Sequence, residues 1–288
     1  MLNILVAPKD KIGKAEKVAK SVVKYLKEQK VEYSVYFSLG YDDMVRDVNE
    51  LRDNGEFEFV VIGNDETVNR FVNCFKDLSK IKFGIIPAGD KVDFAKSLNV
   101  EFNPTRAIKN IAEKRIHNID YIELNGKRVL NAIVIGASVE TEIAYEQYKV
   151  KNFISKKFAE MSHGERFNGV DLKMTIKNEE PIEDCIFELI IANGSYGGGK
   201  LISPLSNLSD GLFNVSYSST VGPKEKRIFV RDEKSGKHIY NDDLEQIWTN
   251  NIKITNEDKK IKALVDGEYE TFENINVTLV ENGLKIYK

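Results

Sequence analysis

The stretch FEFVVIGNDETVNRFVNCF (57–75) decides the fold of the first part of the chain. It begins with an apolar run that ends in Gly63, as expected of a strand buried on both faces. A short polar turn follows, and apolar residues then recur at the spacing of an amphipathic helix: Val68, Phe71, Val72 and Phe75. Strand, glycine turn and helix together predict one unit of an open α/β sheet.

The same alternation runs through the first 122 residues. Strands are predicted at 3–7, 32–37, 57–63 and 82–89. Helices are predicted at 14–29, 42–54 and 66–75. Repeated βα units predict a parallel sheet with helices on both faces. Ligands of such sheets bind at the carboxyl ends of the strands, so we expect three turns to lie on one edge: 7–14, 63–67 and 87–93.

From about residue 120 the pattern changes to many strands and few helices. Strands are predicted at 118–124, 127–138, 170–178, 185–194, 212–219, 252–256, 261–268 and 275–281. One helical stretch, roughly 140–162, interrupts them. This pattern predicts a second, antiparallel domain that is either a sandwich or an open barrel.

Composition narrows the classes of function. The formal net charge of −3 argues against a nucleic-acid partner, because such proteins present a basic surface. Two distant cysteines, Cys74 and Cys185, fit a reducing cytoplasm, and with Trp248 they are expected in the core. The N-terminus lacks signal-peptide features, and no segment approaches the ~20 apolar residues of a membrane span. We therefore expect a cytoplasmic protein whose contact with a membrane is peripheral.

The turns that follow the parallel strands are candidate phosphate sites. Such a turn offers backbone N–H groups and the positive end of the next helix. Gly63 and Gly89 let a phosphate approach the backbone closely. Asp65 and Asp93 follow as either metal ligands or helix caps, Asp65 could alternatively hold a ribose hydroxyl, and Thr67 is another candidate cap. An ordinary polar turn capped by Asp65 explains residues 63–67 as well as a nucleotide site does.

Two further motifs lie in the second part of the chain. The loop ANGSYGGGKLISPLSNLSDGLFNV (192–215) contains three consecutive glycines, a proline and Asp210-Gly211. Two ordinary turns of a β domain would also explain it. VDGE (265–268) is the signal of a tight hairpin, and alternatively it presents Glu268 as a general base.

In chain order these motifs resemble those of the bacterial lipid kinases related to diacylglycerol kinase. GNDET (63–67) is similar to the family's Gly-Gly-Asp-Gly-Thr, and PAGDKVDFAK (87–96) is similar to its Pro-x-Gly-Thr-x-Asn-Asp-Phe-Ala-Arg. The triple glycine, Pro204, Asp-Gly and Asp-Gly-Glu follow in the family's order. NAD kinases share the first motif, so the Asp-Phe-Ala and triple-glycine elements favour a lipid kinase.

The resemblance implies a nucleotide-binding α/β domain (1–122, to which 277–288 returns) and a β-sandwich domain (123–276), with the active site between them. It implies ATP and Mg²⁺ as cofactors and a diacylglycerol-like lipid at a membrane surface as substrate. A homodimer is compatible with the sequence. Asp65 and Asp93 would join a metal–water network, Asp210 would anchor Mg²⁺ in the family's structural site, and Glu268 would deprotonate the lipid hydroxyl. The implied nucleotide-binding residues are Gly13, Lys14, Gly63, Asn64, Glu66, Thr67, Gly89 and Asp93.

The departures from the family pattern all lie on the predicted nucleotide edge. Glu66 and Asn64 replace glycines, and Asp90 replaces threonine. Val92 and Lys96 replace asparagine and arginine of the third motif. In the first turn, where the family has Asn-Pro-x-Ser-Gly-x-Gly, the chain has Ala7 for Asn, Asp10 for Ser and Lys11 for the first Gly. A carboxylate ~4 Å from a phosphate charge costs about 1 kcal/mol in water and about 4 kcal/mol at an effective dielectric of 20. A divalent ion or the lysines Lys11, Lys14 and Lys91 would offset this repulsion.

Three functions therefore stay open. The first is an active lipid kinase, and the second is a non-catalytic relative that serves as a lipid-binding or regulatory module. The third is a kinase of a soluble diol or nucleotide. A basic amphipathic stretch at 145–161 either lies on anionic lipid or docks onto its own domain with a solvated lysine face.

Overall fold

The computed structural model describes residues 1–8, 13–177, 179–219, 221–257 and 259–288. Asp10 and Lys11 of the predicted first turn lie outside these described residues. The chain forms two compact units. Unit 1 comprises Met1–Tyr121 and Val280–Lys288, and unit 2 comprises Ile122–Leu279.

Strands and helices alternate in unit 1. Its strands are β1 (Leu2–Val6), β2 (Tyr33–Phe37), β3 (Glu58–Gly63) and β4 (Lys82–Pro87). Its helices are α1 (Lys14–Glu28), α2 (Tyr41–Asp53), α3 (Asp65–Asn73), α4 (Asp93–Ser97) and α5 (Pro104–Ala112). Helix α5 is absent from the sequence prediction, although Asn103 caps it and Pro104 occupies its first turn, as at many helix starts.

The sheet of unit 1 is parallel, as predicted. Its strand order is β2–β1–β3–β4, and the C-terminal strand β17 (Asn274–Tyr287) pairs in parallel with β4 through Lys285–Tyr287. The order reverses between β1 and β3, because β2 lies on one side of β1 and β3 on the other. Sheets of this kind bind ligands at such a switch point, beyond the carboxyl ends of the strands. The predicted first and second phosphate turns follow these two strands.

An aromatic cluster fixes α3 on the sheet. Phe71 of α3 packs against Phe59 of β3 and Phe83 of β4, and Phe75, just beyond the end of α3, packs against Phe59 and Phe71, with ring centroids 5.0–6.0 Å apart. The predicted inward residues of this helix are confirmed as buried, although Phe75 lies just after the helix ends at Asn73. The packing places the first turn of α3 directly after β3.

Unit 2 is built mainly from strands. They are β5 (Ile116–Leu124, which begins in unit 1), β6 (Lys127–Val129), β7 (Ala132–Gly136), β8 (Val170–Ile176), β9 (Ile182–Ala192), β10 (Tyr196–Gly197), β11 (Lys200–Leu201), β12 (Phe213–Ser219), β13 (Leu244–Thr249), β14 (Asn251–Thr255), β15 (Ile261–Val265), β16 (Glu268–Phe272) and the first part of β17. Its helices are α6 (Ala137–Glu146), α7 (Phe153–Ala159) and α8 (Pro223–Glu233), with a π-helical turn at Glu160–Gly164 and a 3₁₀ turn at Lys237–Tyr240.

The long strand β9 organises unit 2. Its first half pairs with β8 and its second half with β7, while β12 pairs along its other edge, and all three pairings are antiparallel. A second antiparallel run joins β8, β14 and β17. Apolar side chains from these strands, such as Ile135, Leu189 and Ile254, form one buried core. The predicted combination of a parallel α/β part and an antiparallel β-sandwich part is confirmed.

Several predicted elements of unit 2 are wrong in detail. The predicted strand 127–138 is two strands separated at residues 130–131. The predicted helical stretch 140–162 is two helices, because Asn152 starts α7 with a capping box to Ser155. Helix α8 and strand β13 are not predicted. Trp248 lies on β13 with 44% of its surface exposed, and both cysteines are only half-buried, so none of them is a core residue.

Candidate functional site

Asn64 caps α3 at the second predicted phosphate turn. Its side-chain oxygen accepts hydrogen bonds from the Thr67 N–H at 3.1 Å and from the Thr67 hydroxyl at 2.8 Å. The two sequence candidates for this cap, Asp65 and Thr67, are therefore wrong as caps of α3. Thr67 is buried against Gly63, and a Cβ on Gly63 would lie 2.5 Å from the Thr67 Oγ1. Packing within the turn alone therefore requires glycine at position 63.

Asp65 joins the second turn to the third. Its carboxylate accepts the backbone N–H groups of Asp93 at 2.7 Å and Phe94 at 3.0 Å, which open α4. Its own N–H donates to the Lys91 carbonyl at 2.8 Å. Asp65 thus acts on α4 as an N-cap side chain does, but from another segment of the chain. The predicted catalytic Asp65 and the predicted nucleotide-binding Asp93 are brought together by these bonds.

The third turn also approaches the second through Gly89. Gly89 has a φ of +117°, and a Cβ there would lie 3.1 Å from the Asn64 Cβ. Asp93 is buried, and its Oδ1 lies 2.8 Å from the Lys96 Nζ. The family's arginine at position 96 is a lysine here, yet the position still supplies a cation to this turn.

Glu66 and Asp90, the two acidic residues that differ from the family motifs, each have a cationic neighbour in unit 1. The Glu66 carboxylate lies 3.7 Å from the Arg70 guanidinium, which lies 5.6 Å from the centre of the Tyr41 ring. Asp90 forms a hydrogen-bonded ion pair with Lys14, the first residue of α1. Gly13, with φ of +64°, precedes Lys14 at the N-cap position. The local charge at these turns is therefore less negative than the two carboxylates alone suggest.

Four backbone N–H groups of the two turns are engaged by the protein itself. Backbone N–H groups at the starts of α3 and α4 donate to protein oxygens, as described above for Asp65, Thr67, Asp93 and Phe94. A phosphate at these turns would have to use other donors or displace one of these acceptors.

In unit 2, Glu268 follows a tight hairpin turn. Asp266 and Gly267 have φ of +47° and +83°, and Val265 pairs with Glu268 across the two-residue loop. This is the hairpin that Asp-Gly predicts. The Asp266 carboxylate accepts three backbone N–H groups at 2.8–3.1 Å, from Leu130, Asn131 and Ala132. Glu268 itself is exposed at the start of β16.

The same segment holds the start of the glycine-rich loop. The Asn131 carbonyl accepts the N–H groups of Asn193 at 2.8 Å and Gly194 at 3.0 Å. The Asn193 side chain donates to the Leu130 carbonyl at 3.3 Å. The hairpin that carries Glu268 and the loop that contains the three glycines are thereby fixed to the same two residues.

Asp210 lies in an exposed turn near the end of that loop. Its Oδ1 accepts the Leu212 N–H at 3.1 Å, and Gly211 has φ of +78°. Its carboxylate suits Mg²⁺, which takes oxygen ligands and keeps several waters. Across the described ranges, no three or more His, Cys, Asp or Glu side chains group closely enough to hold a metal.

A buried charged cluster in unit 2 is missing from the sequence prediction. The Glu188 Oε2 accepts the Ser138 N–H at 3.0 Å, and the Lys200 Nζ lies 2.6 Å from the Glu233 Oε2. Burial, and then the nearby charge of Glu233, raises the pKa of Glu188 to about 8. The sequence does contain a signal of this cluster, namely a glutamate inside the otherwise apolar run CIFELIIANG (185–194).

None of the helices in the described part of the chain has both the length and the apolar character that crossing a membrane requires.

Comparisons with known proteins agree with the motif order. Residues 2–124 match the model of the diacylglycerol kinase catalytic domain. Residues 133–288 match that of the YegS C-terminal NAD kinase beta sandwich-like domain. The chain therefore belongs to the diacylglycerol kinase-like family of lipid kinases, and the predicted family is confirmed.

Individual relatives are distant. A diacylglycerol kinase of Bacillus subtilis (strain 168) is 26% identical over 226 residues, which cover 74% of this chain and 72% of that protein. A diacylglycerol kinase structure from Bacillus anthracis str. Sterne has a TM-score of 0.75 at 19% identity and covers 99% of this chain and 96% of its own. An NAD kinase from Archaeoglobus fulgidus, solved with ATP, has a TM-score of 0.53 at 13% identity. The match covers 100% of this chain and 94% of the NAD kinase chain. These structures share the fold.

Proposed function

We infer that the protein transfers the γ-phosphoryl group of ATP to a hydroxyl of a diacylglycerol-like lipid. One observation carries this inference most directly. The two glycine turns after neighbouring strands β3 and β4 are bonded to each other through Asp65, at the carboxyl ends of a parallel sheet. This is where open α/β sheets bind ligands. The NAD kinase of similar fold was solved with ATP, which supports ATP as the phosphoryl donor.

The predicted residues other than Glu66 have roles in this reaction. Glu268 accepts the proton of the lipid hydroxyl, whose oxygen then forms a bond to the γ-phosphorus. The bond from that phosphorus to the β,γ-bridging oxygen breaks, and ADP leaves. Gly13, Lys14 and the turns at 63–67 and 89–93 position the phosphates, as phosphoryl transfer chiefly requires. Asp65 and Asp93 would join a metal–water network that supplies positive charge, and Asp210 would anchor Mg²⁺ at a separate structural site.

The lipid substrate implies a cytoplasmic enzyme that works at a membrane surface. The Bacillus subtilis relative is named a diacylglycerol kinase, which supports this substrate class. Nothing in the net charge of −3 favours a nucleic acid as substrate or partner.

A phosphoryl-transfer assay with labelled ATP, Mg²⁺ and a panel of lipids tests the proposal directly. We expect Glu268→Gln to lower phosphoryl transfer by about 10²–10⁴-fold, the usual contribution of a general base. Glu273→Gln is the matched control, because Glu273 is an exposed glutamate just after the other end of β16. Transfer that survives Glu268→Gln unchanged would refute the role of Glu268.

The second candidate is a non-catalytic lipid-binding or regulatory module. The backbone N–H groups at the starts of α3 and α4 that already donate to protein oxygens favour it. Calorimetry with ATP and ADP, with and without Mg²⁺, separates the candidates. If the folded protein binds neither nucleotide at millimolar concentration, it cannot carry out the kinase reaction. That result supports the non-catalytic module.

A further inference from the structure

We propose that unit 2 contains a proton-dependent anchor, in which the buried carboxyl groups of Glu188 and Glu233 hold Lys200, and Lys200 in turn fixes the glycine hairpin. This hairpin consists of β10, β11 and the two-residue turn Gly198–Gly199 between them. The inference rests on the proposed function, because the family resemblance is what gives the three glycines a part in a kinase. It adds the residues that position these glycines and the protonation state in which they are held most tightly.

The glycine hairpin is too small to fix its own position. Each of its strands has only two residues, and Gly197 lies opposite Lys200 next to the turn. Gly198 and Gly199, with φ of +59° and +79°, adopt the left-handed conformation that such a two-residue turn requires. Isolated two-stranded hairpins are marginally stable at best in water. The position of the hairpin therefore depends on groups outside it.

Two bonds tie β11 and the residue after it to helix α8 and to the 3₁₀ turn that follows this helix. The Lys200 Nζ lies 2.6 Å from the Glu233 Oε2 at the end of α8. The His238 Nε2 donates to the Ile202 carbonyl oxygen at 3.0 Å. The Glu233 side chain is 4% exposed and that of Lys200 is 22% exposed, so water screens this ion pair little. The ion pair is the part of the attachment that a change of charge can alter.

Glu188 is joined to this ion pair through Ser138. The Ser138 N–H donates to the Glu188 Oε2 at 3.0 Å, and the Ser138 hydroxyl donates to the Glu233 Oε1 at 3.4 Å. Gly136 permits this approach, because a Cβ there would lie 2.9 Å from the Glu188 Oε2. Glu188 is buried, and its Oε1 has no hydrogen-bond partner within the described ranges of the chain. An ionised Glu188 would place negative charge on this buried oxygen, which favours the protonated form.

Lys200 and the proton of Glu188 oppose each other. Burial, and then the charge of Glu233, raises the pKa of Glu188 to about 8, whereas the charge of Lys200 acts to lower it. If the hairpin opened and carried Lys200 away, the pKa of Glu188 would rise further. Above pH 8 the closed hairpin therefore binds fewer protons than the open one, and ionisation of Glu188 tightens the anchor. Below pH 8 Glu188 is neutral, and Glu233 supplies the charge that holds Lys200.

The other charged groups around the anchor keep their charge near pH 8. Burial acts to lower the pKa of Lys200, but the charges of Glu233 and Glu188 raise it overall, so Lys200 stays protonated. Burial lowers the pKa of the His238 imidazole, which is therefore neutral. Glu160 of the π-helical turn pairs with Lys234 at 2.6 Å. The titratable groups on the elements packed here are Glu188 of β9, Lys200 of β11, Lys226, Asp232 and Glu233 of α8, Glu160 of the π-helical turn, and Lys234 and His238 after α8.

Hydrogen exchange of the full-length protein, without ATP or lipid, tests the anchor. The amides followed are those of β11 and of Ser203, which donates to the Ser195 carbonyl at 3.1 Å. After correction for the intrinsic exchange rate, their protection should rise about threefold or more from pH 7 to pH 9, since one linked proton permits at most about tenfold per pH unit. Glu188→Gln should abolish the rise. Lys200→Gln should abolish it and lower the protection at every pH.

Glu183→Gln is the control and should keep the rise, because Glu183 is an exposed glutamate on the same strand as Glu188. The amides of β14 report global unfolding, and their protection should not rise, because an ionised buried carboxyl group destabilises the fold. Protection of β11 that stays constant or falls in the wild type would overturn the proposal. A rise that survives Glu188→Gln, or that appears equally in β14, would overturn it as well.

The anchor and the kinase reaction can fail separately. Circular dichroism and a melting curve verify that each variant is folded. If Glu188→Gln does not fold, Lys200→Gln decides, because a rise that persists in that variant contradicts the anchor. Phosphoryl transfer is measured apart from exchange. A pH effect on the hairpin without any transfer counts against the kinase, and transfer without the pH effect counts against the anchor.

Discussion

Three consecutive polar residues of the second turn serve three different partners. Asn64 caps α3, Asp65 accepts the amides that open α4, and Glu66 lies 3.7 Å from Arg70. A sequence pattern cannot separate these roles, because any of the three side chains could accept a backbone N–H locally. The role of Asp65 is decided by its hydrogen bonds with residues about 28 positions further along the chain.

The first residue-level prediction concerns the acidic departures. Glu66→Gln and Asp90→Asn should tighten the binding of Mg·ADP, because each removes a negative charge from the predicted phosphate edge. The expected gain is about fivefold per charge if water screens the site, and more if it does not. Isothermal titration calorimetry measures it. Glu113→Gln, at the end of α5, removes the same charge elsewhere and should change nothing. Unchanged affinity in both edge variants would show that phosphate does not bind near these carboxylates.

The second residue-level prediction concerns the buried Glu188. Its pKa is about 8 in the folded chain, against 4.5 for an ordinary glutamate, because of burial and of Glu233. The folded state therefore retains a proton that the unfolded state loses first. As the pH rises from 4.5 to 8, this group should lower the free energy of unfolding by at most about 1.4 kcal/mol per pH unit, with no further change above pH 8.

Glu188→Gln keeps the shape and cannot ionise, so it should flatten this part of the pH dependence. Urea unfolding of both chains between pH 5 and pH 9 measures the difference. Glu183→Gln on the same strand is the control, since Glu183 is exposed. Parallel curves for wild type and Glu188→Gln would mean that Glu188 is ionised in the folded chain.

At the scale of elements, the hairpin β15–β16 depends on one carboxylate. Asp266→Ala leaves three backbone N–H groups at 130–132 without this acceptor. We expect the free energy of unfolding of unit 2 to fall by about 3 kcal/mol or more, since a buried unpaired donor costs about 1–3 kcal/mol. Denaturant unfolding measures the loss. Asp210→Ala removes one exposed bond and should cost less than about 1 kcal/mol. Similar losses in the two variants would contradict this account.

Elements with a clear apolar period were predictable, and elements held by polar contacts were not. Strand β3 and helix α3 follow their apolar pattern closely. Helix α8 is mostly charged, and its charges have partners inside unit 2: the Lys226 Nζ lies 2.6 Å from the Phe167 carbonyl, and Glu233 pairs with Lys200. The spacing of apolar residues does not reveal a helix that ion pairs and hydrogen bonds hold in place. The buried Glu188–Glu233 cluster was missed for the same reason.

At the scale of the whole molecule, the last residues complete the sheet of unit 1. The family resemblance implies a return that begins at residue 277, and in the structure Val280 begins the segment that belongs to unit 1. Lys285–Tyr287 pair with β4, and Leu284, Ile286 and Tyr287 are buried. The motif order predicted the family, but the sequence could not show that the phosphate turns are already bonded to each other.

A chain that ends at residue 279 should therefore have a destabilised unit 1. Each buried side chain of the lost segment contributes about 1.5–3 kcal/mol, so the expected loss is roughly 5 kcal/mol or more. Hydrogen exchange at the β4 amides and a melting curve measure it. A chain that lacks only Lys288 is the control and should behave as wild type. Unchanged protection of β4 in the shorter chain would contradict the prediction.

The position of β17 has a consequence for biosynthesis. The ribosome makes β1–β4 first, yet the strand that pairs with β4 emerges only after the whole of unit 2 has been translated. At about 5–20 residues per second, that delay is on the order of ten seconds or more. During this interval the nascent chain exposes a strand edge beside an apolar surface, which is the kind of surface that chaperones bind and that aggregates.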